Sequence, residues 1–218
     1  MKLLFFSFLL SLFFLFLSFF NSMERSLHVA STIGNVKWAG EILRENESIN
    51  VNWKNPTEFD ETALYTACYY DNAEIVALLL AHPNIDVNLK NTFGQTAFFN
   101  ALVLGRVESV KLLLEDSRVD INERANCGST PIHKAMCDNR MEAVEWLLAS
   151  DRNVDLDSIH IQYKGYSLED FAIAPLLFQY LRDPQKMKHK LRLKLGLFPT
   201  MASDFFSHTF NVFANFLN

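Results

Sequence analysis

The segment Thr96–Leu114 (TAFFNALVLGRVESVKLLL) has one counterpart 34 residues upstream, Thr62–Leu80 (TALYTACYYDNAEIVALLL), and another 34 residues downstream, Thr130–Leu148 (TPIHKAMCDNRMEAVEWLL). Repetition at this period constrains the fold more than any other feature of the chain. It predicts stacked units, each too small to bury its apolar face alone. Each copy reads as two short helices about a turn, at Asp71, Gly105 and Asn139 respectively. Thr62, Thr96 and Thr130 are N-cap candidates, whose hydroxyls can satisfy free N–H groups of the first turn. Pro131 follows at the first helical position, where its missing N–H costs nothing. Ala67, Ala101 and Ala135 are small where adjacent helices must approach closely, and the leucine runs Leu78–Leu80, Leu112–Leu114 and Leu147–Leu148 supply stacking surface.

A degenerate copy precedes these (Leu27-His28-Val29-Ala30, then Gly34-Asn35-Val36-Lys37 and Ile42-Leu43), and a partial one follows (Gly165-Tyr166-Ser167-Leu168, with Asp170 and Ala172). Matching linkers recur as Ile49-Asn50-Val51-Asn52, Ile85-Asp86-Val87-Asn88, Val119-Asp120-Ile121-Asn122 and Val154-Asp155-Leu156-Asp157. The set resembles the ankyrin repeat, and Gly128-Ser129-Thr130-Pro131-Ile132-His133-Lys134-Ala135 matches that pattern most fully. The resemblance covers about Ser26 to Ala174. The second copy departs from it in carrying Asp71 at the turn glycine, and the third carries Phe99 at the usual histidine. The implied fold is all-α: a solenoid of four to five helix-turn-helix repeats joined by β-hairpin-like loops, with an N-terminal apolar helix. The expected boundaries are 1–22 for the apolar segment, 23–181 for the array (repeats about 26–55, 56–91, 92–125, 126–160 and a partial 163–181) and 182–218 for the tail.

The resemblance also implies where a ligand would sit: on the loop tips before each threonine and the exposed face of each first helix. These positions are Glu58, Phe59, Glu61, Tyr69 and Tyr70 in the second copy. They are Thr92, Phe93, Gln95, Val103 and Leu104 in the third, and Asn126, Cys127, Ser129, Cys137 and Asp138 in the fourth. Aromatic residues in a concave patch usually dominate binding energy. With Glu58, Glu61 and Asp138 around them, the expected partner is a protein carrying apolar and basic side chains. Burial of the same side chains in a satellite core is the competing expectation. His133 falls at the family's helix-start position, where it supports the loops.

Charge is unevenly distributed. Met23–Leu181 carries 23 acidic and 13 basic residues, a net −10, whereas Arg182–Lys194 carries six basic residues and one acid, a net +5. An acidic scaffold repels phosphate, which argues against nucleic acid as the main ligand. The three cysteines, Cys68, Cys127 and Cys137, are too few and oddly numbered for a disulfide framework and read as free thiols of a reducing compartment. Cys127 and Cys137 lack zinc-knuckle spacing. No nucleophile elbow, phosphate-binding glycine loop or zinc-protease motif is present. A non-catalytic binding scaffold with no cofactor and no metal is expected.

The ends carry separate signals. Leu3–Phe20 is an uncharged run of Leu, Phe and Ser, about 27 Å long as a helix. Its length favours an uncleaved signal-anchor and a membrane-associated protein. A cleaved secretory signal, giving a secreted or exported effector, and a cytoplasmic chain starting at Met23 are the alternatives. Asn46-Glu47-Ser48 is a glycosylation acceptor triplet that reports topology. Arg182–Leu195 is basic, with Met187, Leu191 and Leu195 on one helical face. It suits either an anionic membrane surface or a cap on the last repeat. Phe205–Leu217 is aromatic and too short to span a bilayer.

Overall fold

The computed structural model describes residues 23–46, 48–156 and 174–197. The apolar run 3–20, the partial copy at 165–172 and the aromatic segment 205–217 lie outside the described residues. Ten helices follow one another among the residues described. Residues 23–33 form α1. Then come α2 (Val36–Glu45), α3 (Ala63–Tyr69), α4 (Ala73–Leu80), α5 (Ala97–Leu104), α6 (Val107–Glu115), α7 (Pro131–Cys137), α8 (Met141–Ala149), α9 (Ala174–Arg182) and α10 (Pro184–Lys194). The first eight pair into four helical hairpins.

The punctuation follows from local chemistry. The Thr62, Thr96 and Thr130 hydroxyls accept the backbone N–H of Tyr65, Phe99 and His133 at 3.2, 3.1 and 3.4 Å, closing the first turns of α3, α5 and α7. Each hairpin turns through a left-handed residue: Gly34, Asp71, Gly105 and Asn139, with φ between 55° and 72°. Asp and Asn tolerate this region better than other side chains do, so the missing glycines leave the turn intact. Asp71 adds a contact that glycine cannot make. Its Oδ1 accepts from Ser109 Oγ at 2.7 Å and from Ser109 N at 3.2 Å, in the first turn of α6 in the next repeat.

Helices of seven to ten residues are not stable alone in water. They stack in two layers, with α3, α5 and α7 side by side in one and α2, α4, α6 and α8 in the other. Ala30, Ala67, Ala101 and Ala135 are fully buried where the first helices meet. Within the leucine runs the central Leu79 and Leu113 are fully buried, whereas Leu78, Leu80, Leu112 and Leu114 are half-buried. Much of the core therefore comes from the first helices, through Leu64, Phe98, Phe99, Leu102, Ile132 and Met136.

The loops are narrower than β-hairpins. Among the described residues there is no strand. Each tip is closed by a backbone bond from its first residue, Asn55 N to Glu61 O, Asn91 N to Gln95 O and Ala125 N to Ser129 O at 2.9, 3.0 and 3.1 Å, and by a return bond to that residue's carbonyl, from Asp60 N, Gly94 N and Gly128 N at 3.0, 3.0 and 2.8 Å. Only the first of these tips forms an antiparallel bridge. Side chains replace further ladder bonds: Asn91 Oδ1 accepts from both Phe93 N and Gln95 N at 3.0 Å. The tips also bond to one another, Thr92 N to Phe59 O at 2.9 Å and Asn126 N to Phe93 O at 3.0 Å.

At the other end of each repeat, the linker asparagines staple neighbours together. Asn52 Nδ2 donates to Asn84 O and its Oδ1 accepts from Asp86 N, both at 2.8 Å. Asn88 makes the same pair of bonds to Arg118 O and Asp120 N, and Asn122 makes them to Asn153 O and Asp155 N. Arginines reach back to helix C-termini: Arg118 to Leu80 O at 2.7 Å, Arg152 to Leu114 O at 3.4 Å and Arg192 to Ala149 O at 2.9 Å. A guanidinium there satisfies terminal carbonyls and complements the negative end of the helix dipole.

The helix α10 lies across α8 and α9, with Met187 and Leu191 buried against the core and Leu195 packed on it. Its Lys194 grips the buried Glu145 carboxylate at 2.5 and 2.6 Å, and Arg192 pairs with Asp151 at 2.7 Å. The apolar stripe of the basic segment is thus spent on covering the last hairpin. No helix among the described residues is long and apolar enough to cross a membrane.

Two substitutions separate backbone conformation from crowding. Gly94 has φ 74°, and a Cβ there would lie 2.7 Å from Asn126 N; Gly128 has φ 81°, with nothing within 4 Å. Gly94→Ala is expected to cost at least about 2 kcal/mol and Gly128→Ala about 1–2 kcal/mol, measured by urea unfolding. Asn88→Ala, which removes both staples at one junction, is expected to cost about 1–3 kcal/mol by the same measurement.

Candidate functional site

The tips and first helices place the expected residues in two aromatic pairs. Phe59 and Phe93 head neighbouring tips, 59% and 51% exposed, with ring centroids 5.1 Å apart at 44°. Tyr69 and Tyr70 sit at the end of α3, 42% and 50% exposed, with centroids 5.0 Å apart in a T-shaped arrangement. The length of α3, about 10 Å at 1.5 Å per residue, separates the second pair from its own tip. Val103 and Leu104 hold the tyrosine-equivalent positions on α5 and are half-buried. Arg140 Nε donates to the Val103 carbonyl at 3.0 Å. The two pairs are thus distinct surfaces on one face of the array.

The polar candidates divide by partner. Gln95 Oε1 accepts from the Tyr65 hydroxyl at 3.1 Å, tying the third tip to α3. Thr92 is exposed, and its carbonyl accepts from Asn126 Nδ2 at 2.9 Å. Asp138 pairs within its own hairpin with Lys134 at 2.8 Å, which neutralises the acid expected on the fourth repeat. Ser129 is buried, Cys137 half-buried, and Cys127 is exposed at the tip position that Phe59 and Phe93 occupy in the other repeats. A hydrogen bond with Ser129 lowers the Cys127 thiol pKa, and burial raises that of Cys137. Burial, and then the Lys134 and Arg124 charges, also hold His133 below the usual imidazole range.

Glu58 and Glu61 behave differently from Asp138. Neither pairs with a lysine or arginine among the described residues, and the nearest basic group is the buried His28 imidazole, Nδ1 to Glu58 Oε2 at 3.6 Å. Burial, and then the Glu58 charge, push the Glu61 carboxyl up to about 7. His28 is held below its usual range by burial, against the opposing pull of Glu58. Tyr65, buried beside Glu61, is raised as well, mainly by burial. The second tip therefore sets Glu58 beside the exposed Phe59 ring, with Glu61 gaining its charge only as pH rises through about 7.

Sequence reasoning found the tip residues through the threonine caps that follow them. It missed the His28 and Tyr65 contacts that hold the tips in place; Asn126 was placed on the fourth tip, where it bonds back to Thr92. Each acts across one repeat spacing, so the signal available was the recurrence of a polar or aromatic residue at the helix-start position: His28, Tyr65, Phe99 and His133.

The Glu61 environment sets a pH dependence. Its folded pKa lies above its ordinary 4.5, so the native state binds the proton more tightly than the unfolded chain does. That stabilisation is complete below about 4.5 and is lost as pH rises through about 7. Glu61→Gln faces the same neighbours, Glu58, His28 and Tyr65, without titrating. The variant is expected to match the native chain near pH 4.5 and exceed it in stability at pH 8, read from urea midpoints in chelator-containing buffer.

Comparison with known proteins agrees with this geometry. The family model for ankyrin repeats in three copies matches residues 83–160, and that for ankyrin repeats in many copies matches residues 43–99. Together they span just over half of the chain. Osteoclast-stimulating factor 1 of Xenopus laevis is 35% identical over 67 residues, and that of Bos taurus 36% identical over 67 residues. In both cases the match covers 31% of this chain and 29% of the relative. The helix pairs, the threonine caps, the left-handed turns and both family matches make this chain a member of the ankyrin-repeat family.

Proposed function

We infer that the chain is a non-catalytic interaction scaffold that holds a protein partner on its tips and first helices. Ankyrin repeats in general bind protein partners, and that general role comes with the family. The observation that carries the finer reading is the Phe59–Phe93 pair: two large apolar rings, each more than half exposed, held side by side by a tip-to-tip backbone bond. Rigid exposed aromatics of this kind form the energetic centre of protein interfaces. Glu58 and Glu61 beside them pair with no lysine or arginine among the described residues, which favours a partner that brings an apolar anchor flanked by lysine or arginine. Tyr69 and Tyr70 offer a second anchor point about one helix length away. Thr92 and Gln95 flank Phe93 in the third tip, Val103 and Leu104 end α5 as Tyr69 and Tyr70 end α3, and Asp138 follows α7 in the next repeat.

Tethering to a membrane through residues 3–20 belongs to the same proposal and rests on the length and apolarity of that run. A secreted or exported scaffold is the alternative use of the same run. N-terminal sequencing of the endogenous protein with carbonate extraction separates the two: an intact terminus in the carbonate-resistant pellet supports the tether, and a terminus near Ser22 in the soluble fraction supports export.

The surface is tested by quantitative co-purification. Phe59→Ala with Phe93→Ala removes side chains that the core does not use. The double variant is expected to keep its circular dichroism spectrum and to lose partner recovery by at least about tenfold. Unchanged recovery would place the binding surface elsewhere.

A further inference from the structure

At the joint between the first and second repeats, an imidazole and two carboxylates converge. His28 on α1 is only 2% exposed. Its Nε2 lies 2.8 Å from Thr66 Oγ1 on α3, and the Trp53 ring meets it edge-on at 6.2 Å. These contacts fix the ring and leave Nδ1 facing the second tip. The nearest acceptor there is Glu58 Oε2 at 3.6 Å, too far for a hydrogen bond. The donor atoms of His28, Glu58 and Glu61 all lie within 4.8 Å of one another. No lysine or arginine is paired with either glutamate among the described residues. A fixed, nine-tenths-buried nitrogen therefore aims at two carboxylates that have no other cation between them.

We propose that His28 Nδ1, Glu58 and Glu61 form a site for a divalent first-row transition ion of the zinc type. One imidazole nitrogen with two carboxylate oxygens suits such an ion, whereas magnesium and calcium prefer all-oxygen shells. Tetrahedral donors at bond lengths of about 2.0–2.1 Å stand about 3.3 Å apart, so the cluster closes by no more than about 1.5 Å. Rotation of the Glu58 side chain, 55% exposed at the tip, supplies that movement and opens a route for the ion. In such a site Thr66 is the orienting group: with Nε2–H donating to its hydroxyl across the 2.8 Å contact, the Nδ1 lone pair is free for the ion. Such an ion would pin α1 of the degenerate first repeat to the tip of the second. This proposal stands on a different observation from the aromatic surface and does not depend on it.

The test uses the full chain in a Cys127→Ser, Cys137→Ser background, stripped with chelator and titrated with zinc chloride by calorimetry. Binding of one equivalent is expected, weakened at least about tenfold by Glu58→Gln, by Glu61→Gln and by His28→Gln. Cobalt(II) is expected to give a visible spectrum of nitrogen–oxygen coordination that the same variants abolish. The Glu58→Gln arm keeps the test sound if His28→Gln fails to fold, because Glu58 is an exposed tip residue. Equal zinc affinity in the native chain and the two glutamine-for-glutamate variants would overturn the site. Equal responses to calcium and zinc would also overturn it, since His28 would then not be a ligand.

Discussion

The structure depends on one constraint: short helices must be held in register with their neighbours, because none of them is stable alone. Apolar stacking brings hairpins together but does not by itself fix their offset. The linker asparagines do, since Asn52, Asn88 and Asn122 each present one donor and one acceptor to two backbone groups of the next repeat. The arginines Arg118, Arg152 and Arg192 repeat the arrangement at the helix ends. Backbone groups are the least negotiable partners in a protein, and meeting them in every repeat leaves a single offset for the stack. The loop tips then fall in line, so that Phe59 and Phe93 stand side by side although 34 residues separate them.

Departures from the repeat pattern show where that constraint acts. The turn tolerates Gly34, Asp71, Gly105 and Asn139 because all four can occupy left-handed backbone. Asp71 converts the substitution into a link to Ser109 of the next repeat. The second tip encloses two residues more than the third, yet it closes on the same kind of bond, Asn55 to Glu61. Variation is therefore absorbed in the loops, and the stack beneath them is unchanged. Charge is arranged with similar economy: the basic α10 covers the last hairpin by pairing with Asp151 and with the buried Glu145.

Much of this was legible in the sequence, and what was not has a common cause. The caps at Thr62, Thr96 and Thr130, the turns, the small Ala67, Ala101 and Ala135 and the linkers are local features, readable within one copy. The arginine contacts, the Tyr65–Gln95 bond and the His28 cluster link residues 30 or more positions apart, which no single copy displays. The six tip and helix residues read as one apolar patch resolve into two aromatic pairs and the half-buried Val103 and Leu104, because residue type does not reveal distance along a helix. The basic stripe of 182–195 could be read equally as membrane-facing or as a cover, since the same amphipathic pattern serves both. Only the positions of Glu145 and Asp151 distinguish them.

The second tip has one further consequence. Phe59 and Asp60 both sit in left-handed backbone, with φ of 52° and 59°. For residues other than glycine each such conformation costs roughly 1–2 kcal/mol, so the loop persists because its neighbours over-determine it. The Asn55–Glu61 closure and the bond from Thr92 provide that restraint. The entropy of ordering the tip backbone was therefore lost when the chain folded. The second tip is therefore a preformed feature of the fold, its backbone course set by contacts within the stack and not by contact with another molecule.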